Sequence, residues 1–248
     1  MSEMVSLTGI VLSCIPVGEY DNRIVILTKE RGKICAFAKG ARKMHSHLMG
    51  LTRPFLMGRF ELYEGREAYT LAGGESREYF EELSKDLNAV YYGFYFLEIA
   101  DYYGREGIEA KNMLNLLYVS FKALTDERLK KELVKCVFEL KAMMINGEYP
   151  ETFCCVGCKT KDELRYFSVS RGGVLCETCA KSVHDAAMIS SDVLYTLQYV
   201  ISAKLESLYS FTLDDATMQG FENIMKLLRK TNFDKHFKSL DMLEIMKI

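Results

Sequence analysis

Over roughly the first seventy residues, apolar and polar positions alternate with a period near two; beyond them the apolar positions recur at helical spacing. Stretches 5–12, 23–28 and 33–38 are rich in β-formers, and 55–63 and 66–71 follow in the same manner. Lys29-Glu-Arg-Gly32 and Glu64-Gly65 are hairpin-turn material. Five strands with one long polar connection at 39–50 predict a small closed barrel of the OB type, and Gly9 and Gly58 fall inside strands where such a barrel bends. After Gly73-Gly74 the period changes, and helices are expected over 78–103, 110–124 and 128–145. Tyr79, Phe80, Leu83, Leu87, Val90, Tyr91, Phe94 and Leu97 give the first of these a broad apolar face, so its aromatics are read as core. Ser190-Ser-Asp192 is an N-cap cluster for a helix over 193–209, and Leu213-Asp-Asp215 opens another running to about Lys230. The closing segment, 231–248, is charged with apolar interruptions.

Two short hooks interrupt this helical half. Cys155-Val-Gly-Cys158 and Cys176-Glu-Thr-Cys179 are separated by seventeen residues, the spacing of a structural zinc ribbon. Four thiolates close a tetrahedral shell around one structural Zn2+ and leave no position for a substrate. Between the hooks, 164–170 alternates like a strand and Arg171-Gly-Gly173 reads as a turn. Cys154 can in principle replace Cys155, but the two-residue spacing to Cys158 favours Cys155. Cys14, Cys35 and Cys136 sit in apolar contexts and are read as core thiols. The fold class is therefore α+β. Its expected parts are a barrel at 1–77, a first helical part at 78–150, the four-cysteine zinc module at 151–182 and a second helical part at 183–248.

Net charge is only −2, but its distribution is uneven. Between Arg23 and Arg59 there are nine basic residues and one acid, Glu30, a local charge of +8 that leaves −10 for the remainder. Arg23, Lys29, Arg31, Lys33, Lys39, Arg42, Lys43 and Arg53 are the candidate DNA-binding cations, with 39–50 as a flexible cationic loop gripping phosphates. His45 and His47 have no neighbouring carboxylates or thiols and are not read as metal ligands. No signal peptide and no apolar run of membrane-spanning length is evident, so a soluble, cytoplasmic protein without a membrane partner is expected. Catalytic signatures are equally absent: there is no Walker loop, no HExxH and no His-x-Glu beside the cysteines, and no enzymatic activity is expected. Adjacent carboxylates at Glu81-Glu82 and Asp214-Asp215 are read as solvated or helix-start charges. Lys204, Lys226, Arg229, Lys230, Lys235 and Lys238 offer a second set of cations, suited to holding an acidic tail.

Taken together, Gly9-Ile-Val-Leu12, Glu30-x-Gly-Lys33, Ala38-Lys-Gly-Ala-Arg-Lys43, Pro54-Phe55, Glu61-Leu-Tyr63 and the four hook cysteines resemble the RecO family of bacterial recombination-repair proteins, in its zinc-bearing branch. Arg165-Tyr-Phe167, Gly172-Gly173 and His236-Phe-Lys-Ser-Leu240 extend the likeness over essentially the whole chain. Lys159 departs from the pattern where the family has Gly, and His47 where it has a cation. The resemblance implies binding of single- and double-stranded DNA, annealing of complementary strands, and loading of the RecA recombinase with RecR at gaps coated by single-stranded DNA-binding protein, whose acidic C-terminal tail is an implied partner. The alternative is an adaptor for RecR and single-stranded DNA-binding protein whose DNA contact is incidental.

Overall fold

The early alternation folds as a closed five-stranded barrel. In the computed structural model, which describes residues 3–246, the strands are β1 (Met4–Val17), β2 (Asp21–Thr28), β3 (Gly32–Ala38), β4 (Met57–Tyr63) and β5 (Tyr69–Glu78). They close in the order β1-β2-β3-β5-β4, with β3 and β5 parallel and every other ladder antiparallel. This is the OB-fold barrel of the expected α+β class. Every second residue of β3 and β4 is buried, and Ile24, Ile26, Ile34, Phe60 and Leu62 fill the interior.

Two strands outrun the sequence pattern. β1 passes beyond Leu12 because the pairing with β2 slips between Val11 and Ser13 and then resumes to Val17. β5 continues through Gly73-Gly74 instead of ending there. A Cβ on Gly74 would lie 2.4 Å from the Arg59 carbonyl oxygen, so this glycine permits a close backbone approach rather than a chain break. The helix expected from 78 accordingly starts later, as α1 (Leu87–Tyr103). Its N-terminus is set by Asp86, whose carboxylate accepts the N–H groups of Asn88 and Ala89 at 2.8 and 3.3 Å.

The chain divides into two compact units, Met1–Thr125 with Phe237–Ile248, and Asp126–His236. The helices are divided between the two. In the first unit, α1, α2 (Lys111–Leu124) and α7 (Lys238–Met246) join the barrel. Phe55, just before β4, packs edge-to-face on Phe94 and Phe121 at 4.8 and 5.5 Å, and Phe80 packs on Phe121 at 5.0 Å. The aromatic run of α1 is therefore largely core, as read.

In the second unit, α3 (Lys131–Ile145), α5 (Ser191–Ser202) and α6 (Asp215–Asn232) pack around buried apolar residues and one buried charge network. A small sheet of β6 (Leu164–Ser168), β7 (Gly173–Cys176) and β8 (Ala187–Met188) carries the cysteine hooks, with the short α4 (Glu177–Ala180) directly after β7. Ser190 and Asp214 cap α5 and α6 through N–H bonds from Val193 and from Ala216 and Thr217. The helix expected to reach 209 ends at Ser202. Lys141 explains the stop: its buried ammonium donates to the carbonyls of Val200, Ile201 and Ala203 at 3.1, 2.9 and 2.8 Å, satisfying the end of α5.

Candidate nucleic-acid interface and metal centre

The eight cations proposed for DNA binding occupy two ends of the barrel. The β2–β3 ladder pairs Asn22 with Ala38 at one end and Thr28 with Gly32 at the other, six residues apart along β2, or about 20 Å at strand rise. Arg23, Lys39, Arg42 and Lys43 lie at the first end. Arg53 is anchored nearby through Thr52, whose hydroxyl accepts from the Asn22 amide at 3.1 Å. Lys29, Arg31 and Lys33 lie at the second end; Lys29 is exposed and has no ion pair among the described residues, whereas Arg31 and Lys33 are paired with acids.

There two of the three cations have partners within the protein. Arg31 donates to Glu64 at 2.7 Å and to the Tyr69 hydroxyl at 2.8 Å, which raises its pKa above the usual arginine value. Lys33 pairs with Asp101 at 3.3 Å and donates to the Asp101 carbonyl at 2.6 Å. Arg31 is engaged within the barrel and Lys33 ties β3 to α1, so phosphate would have to displace their partners. At the first end, by contrast, Arg23, Lys39, Arg42, Lys43 and Arg53 are all exposed and have no ion pair among the described residues.

The 39–50 connection is also more ordered than expected. Successive turn bonds run from the N–H of Ala41 to Ala38, Lys43 to Gly40, Ser46 to Lys43 and Met49 to Ser46, while Ala41 and Leu48 are buried in the barrel core. The Gly40 N–H donates to the Asp21 carboxylate at 2.7 Å, and the Arg42 N–H to the Tyr20 carbonyl at 2.8 Å. These bonds fix the loop to the β1–β2 turn, so its cations are held at one place rather than carried on a mobile arm. Tyr20 itself escaped the sequence reading. An aromatic beside a turn glycine, two residues after Gly18, was its only signal.

The hook cysteines come together as expected. The Sγ atoms of Cys155, Cys158, Cys176 and Cys179 all lie within 4.8 Å of one another, and Cys158 and Cys176 are 3.7 Å apart. Four sulfurs at zinc distance would be about 3.8 Å apart along a tetrahedral edge, so the donor set fits a zinc ion. Burial pushes the Cys155 thiol up, but N–H groups of Cys158, Cys176 and Gly157 aimed at its sulfur bring it down to about 6. Cys179 is pushed up to about 12 by hydrogen bonds with Cys176, Cys155 and Cys158, a crowding of sulfurs that a dication would relieve. A Cβ on Gly157 would come within 2.9 Å of the Cys179 sulfur. Cys154 lies outside the cluster and hydrogen-bonds to Glu151, so it is not a fifth candidate ligand.

Sequence reading also missed what braces this module. The Asp185 carboxylate accepts from the Ser168 hydroxyl at 2.7 Å and from the Ser170 N–H and hydroxyl at 2.9 and 2.6 Å. These bonds hold its carboxyl well below the usual range and fix the turn before β7. Arg229, expected as a surface cation for an acidic tail, instead clamps the buried Glu139.

A closed OB barrel with appended helices and a four-cysteine module defines a class of multi-part, barrel-bearing proteins. Comparison with known families narrows it. Residues 1–80 match the family model for the recombination protein O N-terminal domain, and residues 84–241 that for its C-terminal domain. The chain belongs to the RecO family of DNA repair proteins. Among its relatives named DNA repair protein RecO, that of Acetivibrio thermocellus is 29% identical over 241 residues, covering 96% of each chain. The relative from Desulforudis audaxviator is 30% identical over 97% of this chain and 96% of its own, and that from Clostridium perfringens 28% over 96% and 97%. No helix among the described residues is long and apolar enough to cross a membrane.

Proposed function

We propose that this protein is a non-enzymatic mediator of recombinational repair that binds single- and double-stranded DNA, anneals complementary strands, and helps RecR load RecA at gaps coated by single-stranded DNA-binding protein. The observation that carries the reading is the set of exposed cations without ion pairs, Arg23, Lys39, Arg42, Lys43 and Arg53, at one end of an OB barrel. Their charge takes the place of counterions along the backbone, and the displaced counterions drive binding. Two strands held on neutralised backbones repel each other less and pair faster. RecR, RecA and the acidic tail of single-stranded DNA-binding protein are inferred as partners from the family, as is a cytoplasmic, nucleoid-associated location.

In this reading Cys155, Cys158, Cys176 and Cys179 hold one zinc ion. Bound there, it supplies cross-linking rather than chemistry, since four protein sulfurs fill its shell. The divisions at 77/78, 150/151 and 182/183 then mark functional modules, although the compact units break elsewhere. Strand annealing by Arg42→Glu combined with Lys43→Glu is the test. The reading predicts loss of both DNA affinity and annealing in a variant that melts like the parent; undiminished affinity would remove the assignment.

A further inference from the structure

The cationic end of the barrel is not uniformly polar. Ile15, Val17, Tyr20, Met44 and Met49 are all solvent-exposed there, Tyr20 at 45% and Met44 at 83%. Ile15 pairs directly with Arg23 in the β1–β2 ladder, and Val17 with Asp21, so apolar and charged side chains share one outward face. Tyr20 stands at the hairpin tip. Gly18 turns the chain there with φ of 57°, and the Arg42 N–H fixes the Tyr20 carbonyl from the neighbouring loop. The Lys43 ammonium lies 5.5 Å from the centre of the Tyr20 ring.

Phosphate binding alone has no use for an exposed ring in the middle of its cations. A duplex hides the faces of its bases, whereas an unpaired strand presents them beside its phosphates. Aromatic side chains beside a cationic track are the means by which proteins hold single strands without reading sequence. We propose that Tyr20 is the stacking platform of this interface and confers preference for unpaired polynucleotide over duplex, with Lys43 placed to meet the phosphate next to the stacked base. The inference rests on the barrel end being the nucleic-acid site.

The test uses the full-length, zinc-loaded chain with a labelled oligothymidylate and a blunt duplex of equal length. Tyr20→Ala is expected to lose about tenfold more affinity for the single strand than for the duplex, and Tyr20→Phe to restore the preference. Because the natural chain contains no tryptophan, Tyr20→Trp gives a sole reporter, whose fluorescence is expected to be quenched by oligothymidylate and not by duplex. Equal losses for both ligands, no loss for either, or an unquenched Trp would overturn the stacking role; no loss for either is also what a protein partner covering this face would give. The Arg42→Glu, Lys43→Glu variant separates the two failures. If it keeps its DNA affinity, the interface itself is misplaced; if it loses affinity while the Tyr20 variants show no preference change, only the stacking role falls.

Discussion

The Arg229 guanidinium grips the fully buried Glu139 carboxylate at 3.0 and 2.8 Å, a contact between α6 and α3 across ninety positions of sequence. Lys135 stands 3.4 Å from the same carboxylate. Removing the guanidinium takes the two shorter of these contacts away from a buried charge. Arg229→Met is therefore expected to destabilise the second unit by about 3 kcal/mol, seen as a lower urea midpoint. A midpoint shift within error would show that the remaining contacts of Glu139 suffice.

Lys141 gives the same unit a signature in alkali. Burial pushes its ammonium below the ordinary lysine value of 10.5. Between the folded pKa and 10.5, the unfolded chain holds the proton that the folded chain has shed, so the stability contribution of this group rises with pH. Below that window both states are protonated and burial of the charge costs the fold. Urea titrations should show wild-type stability gaining on Lys141→Met as pH climbs towards 10.5. A constant difference would mean that the lysine is not desolvated.

Lys159 holds a left-handed backbone, φ 64°, directly after Cys158. A Cβ is disfavoured there by roughly 1 kcal/mol, which is why glycine suits the position. Lys159→Gly should therefore raise the melting temperature of the metal-loaded protein and slow zinc loss to a strong chelator. Faster loss would show that the lysine side chain contributes more than its backbone strain costs.

How much of this was legible depends on the distance over which each signal acts. The cysteine hooks carry their geometry within a few residues, and the four sulfurs meet as their spacing predicts. Strand alternation is equally local, and the barrel follows from it. Gly73-Gly74 misled because a glycine that ends an element and one that lets β4 and β5 approach look identical in one dimension. The early cations fall into two groups for a geometric reason. Arg23 and Lys33 are ten positions apart in a single basic window, yet the strand from Arg23 to Thr28 carries the chain to the opposite end of the barrel. Glu64 and Asp101, which engage Arg31 and Lys33, come from later segments that no window on the early chain contains. Arg229 has the same history, its partner lying in another helix.

The division of the early cations into an exposed end and an engaged end is open to one direct measurement: the salt dependence of single-strand affinity. Five phosphate contacts predict a slope of about −3.5 in log affinity against log salt. Changing Lys39, Arg42 and Lys43 together to Gln should flatten it by about 2, while changing Arg31 and Lys33, which are held by Glu64 and Asp101, to Gln should leave it as it was. A slope that flattens only with Arg31 and Lys33 would place the polynucleotide at the other end of the barrel, and one that flattens with both sets would show that it contacts both ends; either result contradicts the division.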